Sequence, residues 1–106
     1  MSRPRSSESV FRAIADPTRR RMLDLLCDRE CSVGEIVETM RLRRAVATFH
    51  LAVLLKAGLV LQRRRGRNLM CTPDCRPLAA AHAWLSRRLP APARPTAQRT
   101  APSVRP

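Results

Sequence analysis

Apolar positions recur along this chain with two different periods, and the change of period divides it into elements. After a polar start, "FRAI" forms a short first helix that stops before "ADPT". Asp16 is suited to an N-cap and Pro17 to a first helical position, so a second helix begins there. Met22, Leu23, Leu26 and Cys27 then return at helical spacing and are expected on its inner side. Ser32 and Glu35 stand in capping-box spacing and open a third helix, "VGEIVETM". After a tight polar turn, Arg43 and Arg44 open a fourth, with Ala47, Leu51 and Leu54 at core spacing and Gly58 as its stop. In "LVLQRRRGRNLMCTP" two short apolar runs flank a basic turn at Gly66, which predicts a β-hairpin. Pro77 starts a last helix with Leu78, His82, Leu85 and Leu89 along one stripe.

The predicted fold is mainly α with a small β-hairpin wing, a winged helix-turn-helix of order α-α-α-α-β-β-α. Residues 1–7 are polar and expected to be disordered. Residues 8–89 form the single domain. The stretch 90–106 is rich in proline, alanine and arginine, cannot build a core, and is expected to be a disordered tail. A chain of 106 residues has room for one modest core, so help from a second copy is expected. No apolar run approaches the about 20 residues of a membrane helix, and no secretory block opens the chain. A cytoplasmic protein without membrane contact is predicted, and its four cysteines read as thiols.

Charge sharpens the picture because it is sided. Residues 1–40 carry seven basic and seven acidic side chains, whereas residues 41–76 carry nine basic and one acidic. The last thirty residues add five arginines and no acid, giving +13 overall. A charge that served only solubility would mix both signs throughout, so the distribution points to a phosphate-bearing partner. Helices three and four have helix-turn-helix spacing, in which the second helix offers its N-terminal end to the major groove of double-stranded DNA. Arg43, Arg44 and Thr48 are the expected groove contacts. Phe49 either touches a thymine methyl or closes the packing between helices three and four. His50 is either packed or phosphate-facing, and is not expected to hold a metal. Arg63, Arg64, Arg65 and Arg67 surround Gly66 and would grip phosphates or a minor groove, or else protect a solvated edge.

The runs "ADPTRRRMLDLL", "SVGEIVETM", "ATFHLAVLLKAGLV" and "RRRGRNLMCT" resemble, in that order, the signatures of ArsR-type winged-helix repressors over about Phe11 to Leu89. The resemblance implies a dimeric DNA-binding repressor that leaves a palindromic operator on sensing a signal, with the first and last helices at the dimer interface. Leu78, His82, Trp84, Leu85 and Leu89 are the interface candidates. Metal-sensing members place Cys-x-Cys where this chain has Ser32 and Gly34, and others use Asp and His pairs on the last helix, where this chain has only His82. The resemblance is thus to the branch lacking the usual metal-binding motifs; no metal site and no cofactor are expected. In winged-helix domains the segment before helix three pairs with the return strand of the wing. That would set Cys31 beside Cys71, with Cys27 and Cys75 near them, either as a thiol cluster or as small core side chains. No nucleophile motif or phosphate-cradling loop occurs, and no enzyme is expected. The charge and the basic tail alone would also suit a non-specific nucleic-acid or ribosome-associated protein. A partner-binding module on the same fold would leave the wing arginines without a purpose.

Overall fold

The computed structural model describes residues 7–91. The expectations of disordered ends fall on residues 1–6 and 92–106, outside that range, apart from Ser7, which begins the first helix, and residues 90 and 91, which follow the last.

Eight elements follow in order: α1 Ser7–Ile14, α2 Pro17–Asp28, β1 Cys31–Ser32, α3 Val33–Met40, α4 Arg44–Lys56, β2 Val60–Arg65, β3 Asn68–Pro73 and α5 Leu78–Arg88. Their ends carry the chemistry read from the sequence. The Asp16 carboxylate accepts from the Arg19 N–H at 3.1 Å, and Pro17 occupies the first turn of α2. Ser32 and Glu35 close a reciprocal capping box at the start of α3. Gly58, at φ +80°, follows the Ala57 C-cap of α4, its N–H reaching Leu55 O at 3.0 Å while Leu59 N–H reaches Leu54 O at 2.9 Å. This is a Schellman closure, and Leu54 and Leu59, both fully buried, make the apolar contact that accompanies it.

The three strands form one antiparallel sheet of order β1-β3-β2. Cys31 pairs with Cys71 and Ser32 with Met70, as expected of the segment before α3. Met70 in turn pairs with Arg63, so a single cross-strand row runs from the start of α3 to the wing. The core lies where α2, α3, α4 and the sheet meet, built around Met22, Leu26, Ile36, Leu51, Leu54, Leu59 and Val60. Ala47, Leu51 and Leu54 face inward as their spacing required.

Two side chains of α2 depart from the pattern. Cys27, expected inside, is exposed. It falls beyond the arc of the helix that Met22, Leu23 and Leu26 cover. The inner position belongs instead to Arg19, three residues before Met22 and four before Leu23, and this arginine is only 9% exposed. A buried guanidinium is tolerated when its donors are used. Its Nε donates to Ala13 O at 2.7 Å and its Nη2 to Arg12 O at 3.0 Å, closing the end of α1. Arg20 adds bonds to Ile14 O and Ala15 O at 2.8 and 3.2 Å. Two cations thus satisfy the last carbonyls of α1, at the negative end of that helix.

Candidate nucleic-acid interface

The turn from α3 to α4 is three residues long. Arg41 takes a left-handed conformation (φ 56°, ψ 48°), its N–H and that of Leu42 both returning to Val37 O. Leu42 packs against the core, which fixes the angle at which α4 leaves. The start of α4 differs from those of α2 and α3: its N-cap is Arg43, which gives no side-chain cap. The first N–H groups of α4 therefore face outward uncapped, at the positive end of the helix dipole, with Arg43 and Arg44 beside them.

Arg43, Arg44 and Thr48 are exposed, and Phe49 is 61% exposed. Arg43 at the N-cap and Arg44 and Thr48 in the first turns of α4 flank the buried arc of Ala47, Leu51 and Leu54, whereas Phe49 lines a recess with Arg12, Val53 and Lys56. The Arg44 guanidinium passes over the start of α3, its Nη2 3.9 Å from where a β-carbon on Gly34 would sit. Phe49 does not close the packing between α3 and α4; it is largely exposed, its ring centroid 5.4 Å from that of His50 at an interplanar angle of 64°.

His50 is turned the other way. Its side chain is 13% exposed, and its Nδ1 lies 3.1 Å from Arg19 Nη1 and 4.0 Å from Asp16 Oδ2. A guanidinium can only donate, so Nδ1 is the acceptor and the proton of the neutral ring sits on Nε2. His50 ties α4 to the junction of α1 and α2 through Nδ1, rather than lying on the exposed face with Arg44 and Thr48. The same junction holds the Asp16 carboxyl below its usual range, chiefly through the hydrogen bond from the Arg19 N–H.

The wing arginines divide by strand period. Arg63 and Arg65 project to one face of β2, and both meet Glu30 from the turn before β1: Arg65 Nη2 lies 3.2 Å from Glu30 Oε1, and Arg63 Nη2 lies 3.8 Å from Oε2. Arg64 and Arg67 are exposed and keep their charges outward. Gly66, at φ +62°, makes the turn between them. Glu30 and Arg19 are the two residues that sequence reading missed. For Arg19 the signal was its spacing to Met22 and Leu23; for Glu30 none was available, because its partners are defined only by the sheet.

The opposite side of the domain is apolar. Trp84 meets Phe11 of α1 edge-on, ring centroids 6.0 Å apart at 80°, with the Arg88 guanidinium 5.1 Å from the indole centroid. Trp84, Leu85 and Leu89 remain 43, 46 and 66% exposed, His82 is exposed, and Leu78 leans on the core. The four cysteines do not gather into one cluster. Cys31 and Cys71 are fully buried side by side, and burial pushes both thiols up, whereas Cys27 and Cys75 are exposed. Among the described residues no three His, Cys, Asp or Glu side chains group to hold a metal ion, and no helix is long and apolar enough to cross a membrane.

Comparison with known proteins decides the family. The profile of the bacterial regulatory proteins of the arsR family matches residues 16–61. The transcriptional repressor SdpR of Bacillus subtilis is 31% identical over 77 residues, which span 73% of this chain and 86% of SdpR. The chain belongs to the ArsR family. The HTH-type transcriptional regulator Rv2034 of Mycobacterium tuberculosis is 34% identical over 87 residues, 82% of this chain and 81% of that protein. An ArsR-like transcriptional regulator from Rhodococcus sp. RHA1 superposes with a TM-score of 0.71 at 28% identity, covering 76% of this chain and 73% of its own. This ArsR-family protein is accordingly a DNA-binding transcriptional regulator rather than an enzyme. The winged helix-turn-helix expected from the hydrophobic pattern is the fold it has.

Proposed function

We propose that the protein is a homodimeric repressor that reads a palindromic operator, the first turns of α4 entering the major groove and the wing lying on the flanking backbone. The observation that carries this reading is the uncapped start of α4, where Arg43, Arg44 and Thr48 are all exposed. It is joined to the arginine wing through the row Ser32–Met70–Arg63. Phosphates would meet Arg43, Arg64 and Arg67. Base edges would meet Arg44 and Thr48, and Phe49 would reach a thymine methyl.

The other side of the molecule supports the dimer. Trp84 and Leu85 on the 11-residue helix α5 and Leu89 at its C-cap leave apolar surface exposed among the described residues, and a two-fold contact between copies would bury it. Two reading helices about one duplex turn apart then select two half-sites. Release from the operator follows a signal that acts on this dimer, and the repressed genes are its own or neighbouring ones.

The experiment is a footprint on the DNA upstream of the protein's own gene, with binding to that DNA and to random duplex compared at moderate salt. Protection of two half-sites and a preference of at least about a thousandfold are expected. Equal binding to both DNAs would replace this reading with that of a non-specific basic nucleic-acid binder.

A further inference from the structure

Arg19 is buried, yet neither its charge nor all of its donors find a partner among the described residues. A guanidinium carries five N–H donors. Three are placed: Nε on Ala13 O, one on Nη2 on Arg12 O, and one on Nη1 at His50 Nδ1. One N–H on each terminal nitrogen is left over. So is the charge. All eight acidic side chains of the sequence lie among the described residues, and none forms an ion pair with this guanidinium. The neighbouring Asp16 accepts from the Arg19 backbone N–H instead. A buried cation ordinarily sits against a counter-charge, so its absence here asks for one from outside.

Arg19 lines an open recess of about 580 Å³ between α1 and α4. Arg19 and Ala57, both buried, form its bottom, and Phe49 and Val53 of α4 give it an apolar wall. Arg12 of α1 and Lys56 of α4 stand exposed at the rim. Glu8 holds Arg12 at 3.2 Å, so that cation arrives compensated. Lys56 makes no ion pair among the described residues. Two cations without a counter-charge thus share one recess with an exposed aromatic ring. Pockets for small ligands commonly measure about 300–1,000 Å³ and combine apolar walls with a few placed polar groups.

We propose that this recess binds a small organic anion, a carboxylate carried on an aromatic or compact aliphatic body. The carboxylate would accept from the two spare N–H groups of Arg19 and pair with Lys56, while the body lies against Phe49 and Val53. Charge argues against the chain's own ends as occupant, since residues 1–6 and 92–106 hold five arginines and no acidic side chain. A DNA phosphate would meet the cations but leave the apolar wall unused. Phe49 then belongs to two surfaces. In the function proposed above its ring reaches a thymine methyl, and a ligand that draws the ring onto the recess takes it from the DNA. That effect rests on the operator reading; occupancy of the recess does not.

The test titrates the full chain with 1-naphthoate, its neutral amide 1-naphthamide, and acetate, by calorimetry and by 1H–15N shift mapping. Naphthoate should bind once per chain, at least about tenfold tighter than the amide, which lacks the charge, or acetate, which lacks the body. It should shift the Arg19 Nε–H and the amides of Phe49, Val53 and Lys56. Lys56→Gln, at an exposed position, should weaken naphthoate about fivefold and leave naphthamide unchanged. Arg19→Gln, if circular dichroism shows it folded, should abolish the preference for acid over amide; if it is unfolded, the wild-type shifts and Lys56→Gln decide. Equal affinity for acid and amide, or shifts centred on Trp84 and Leu85, overturns the site. So does a Lys56→Gln that only lowers the salt slope of DNA binding while naphthoate fails to bind, since the recess is then a phosphate contact. Saturating naphthoate should lower operator affinity at least about fivefold. Naphthoate seated in the recess with operator affinity unchanged overturns the link through Phe49. If the ligand-free protein shows no preference for the upstream DNA, it is the operator reading that fails, and naphthoate binding still decides the site.

Discussion

The two sides of this domain are finished to different degrees. On the side of α3, α4 and the wing, every helix stop is closed within the chain and the exposed groups are mostly arginines, which water solvates until phosphates replace it. On the side of α1 and α5 an indole and two leucines stand partly exposed among the polar groups, and water does not solvate them well. The first side can wait for its ligand indefinitely. The second is the face that the proposed dimer would cover, and covering it would come before reading of an operator in energetic order.

The sharpest way to break that contrast is Leu85→Asp. Leu85 is half exposed, so the single chain should fold unchanged, while each copy loses about 2 kcal/mol or more of interface. Because a two-fold contact repeats the change, sedimentation should show monomer where the wild type is dimer. A persistent dimer would mean that α5 is not the covered face. Next in size is the loss of readout on the opposite side. Arg44→Ala and Thr48→Ala should each remove about 1–3 kcal/mol of preference for operator over random DNA, measured by competition binding.

Smaller again is the division within the wing. Arg64→Ala and Arg67→Ala should each lower the slope of log affinity against log salt by about 1. Arg63→Ala and Arg65→Ala should lower it less, since each begins engaged with Glu30. Glu30→Gln should strengthen binding to random DNA. Equal slopes for all four arginine variants would erase the distinction between clamped and outward charges. The smallest effect belongs to the joint between the two sides. The Asp16 carboxyl is depressed in the folded chain, so its contribution is complete at neutral pH. It is lost only as pH falls through and below the ordinary carboxylate range. Thermal melts of Asp16→Asn should therefore differ from wild type at neutral pH and converge with it in acid.

Much of this was legible beforehand because it is written in short-range chemistry. Asp16 with Pro17, Ser32 with Glu35, and Gly58 each act on backbone groups within a few residues, so neighbouring letters suffice. The pairing of Cys31 with Cys71 needed knowledge of how a wing closes, but not of side-chain packing. What escaped depends on partners far along the chain. Arg19 is buried because His50, 31 residues away, and the end of α1 accept its donors. A basic residue in a helical pattern is ordinarily placed outside, and only its spacing hinted otherwise. His50 shares the turn of α4 with Thr48 but looks toward Arg19. Cys27 was counted as apolar lining when the arc it belonged to was already filled. Glu30 gave no sign, since the strand that brings Arg63 and Arg65 to it lies more than thirty residues on.

The closure at Gly58 has a mechanical consequence. Between the last residue of α4 and the first of β2 lie only Ala57, Gly58 and Leu59, all buried, with their bonds directed back into the helix. That leaves no slack for the helix to swivel while the wing stays put. The two behave as one hand on one wrist, and a tilt of either is a tilt of both. A signal that loosens the grip on DNA then has little to gain from bending a finger. In the proposed dimer it would turn the whole hand relative to that of the other copy, a change in the distance and angle between two rigid readers.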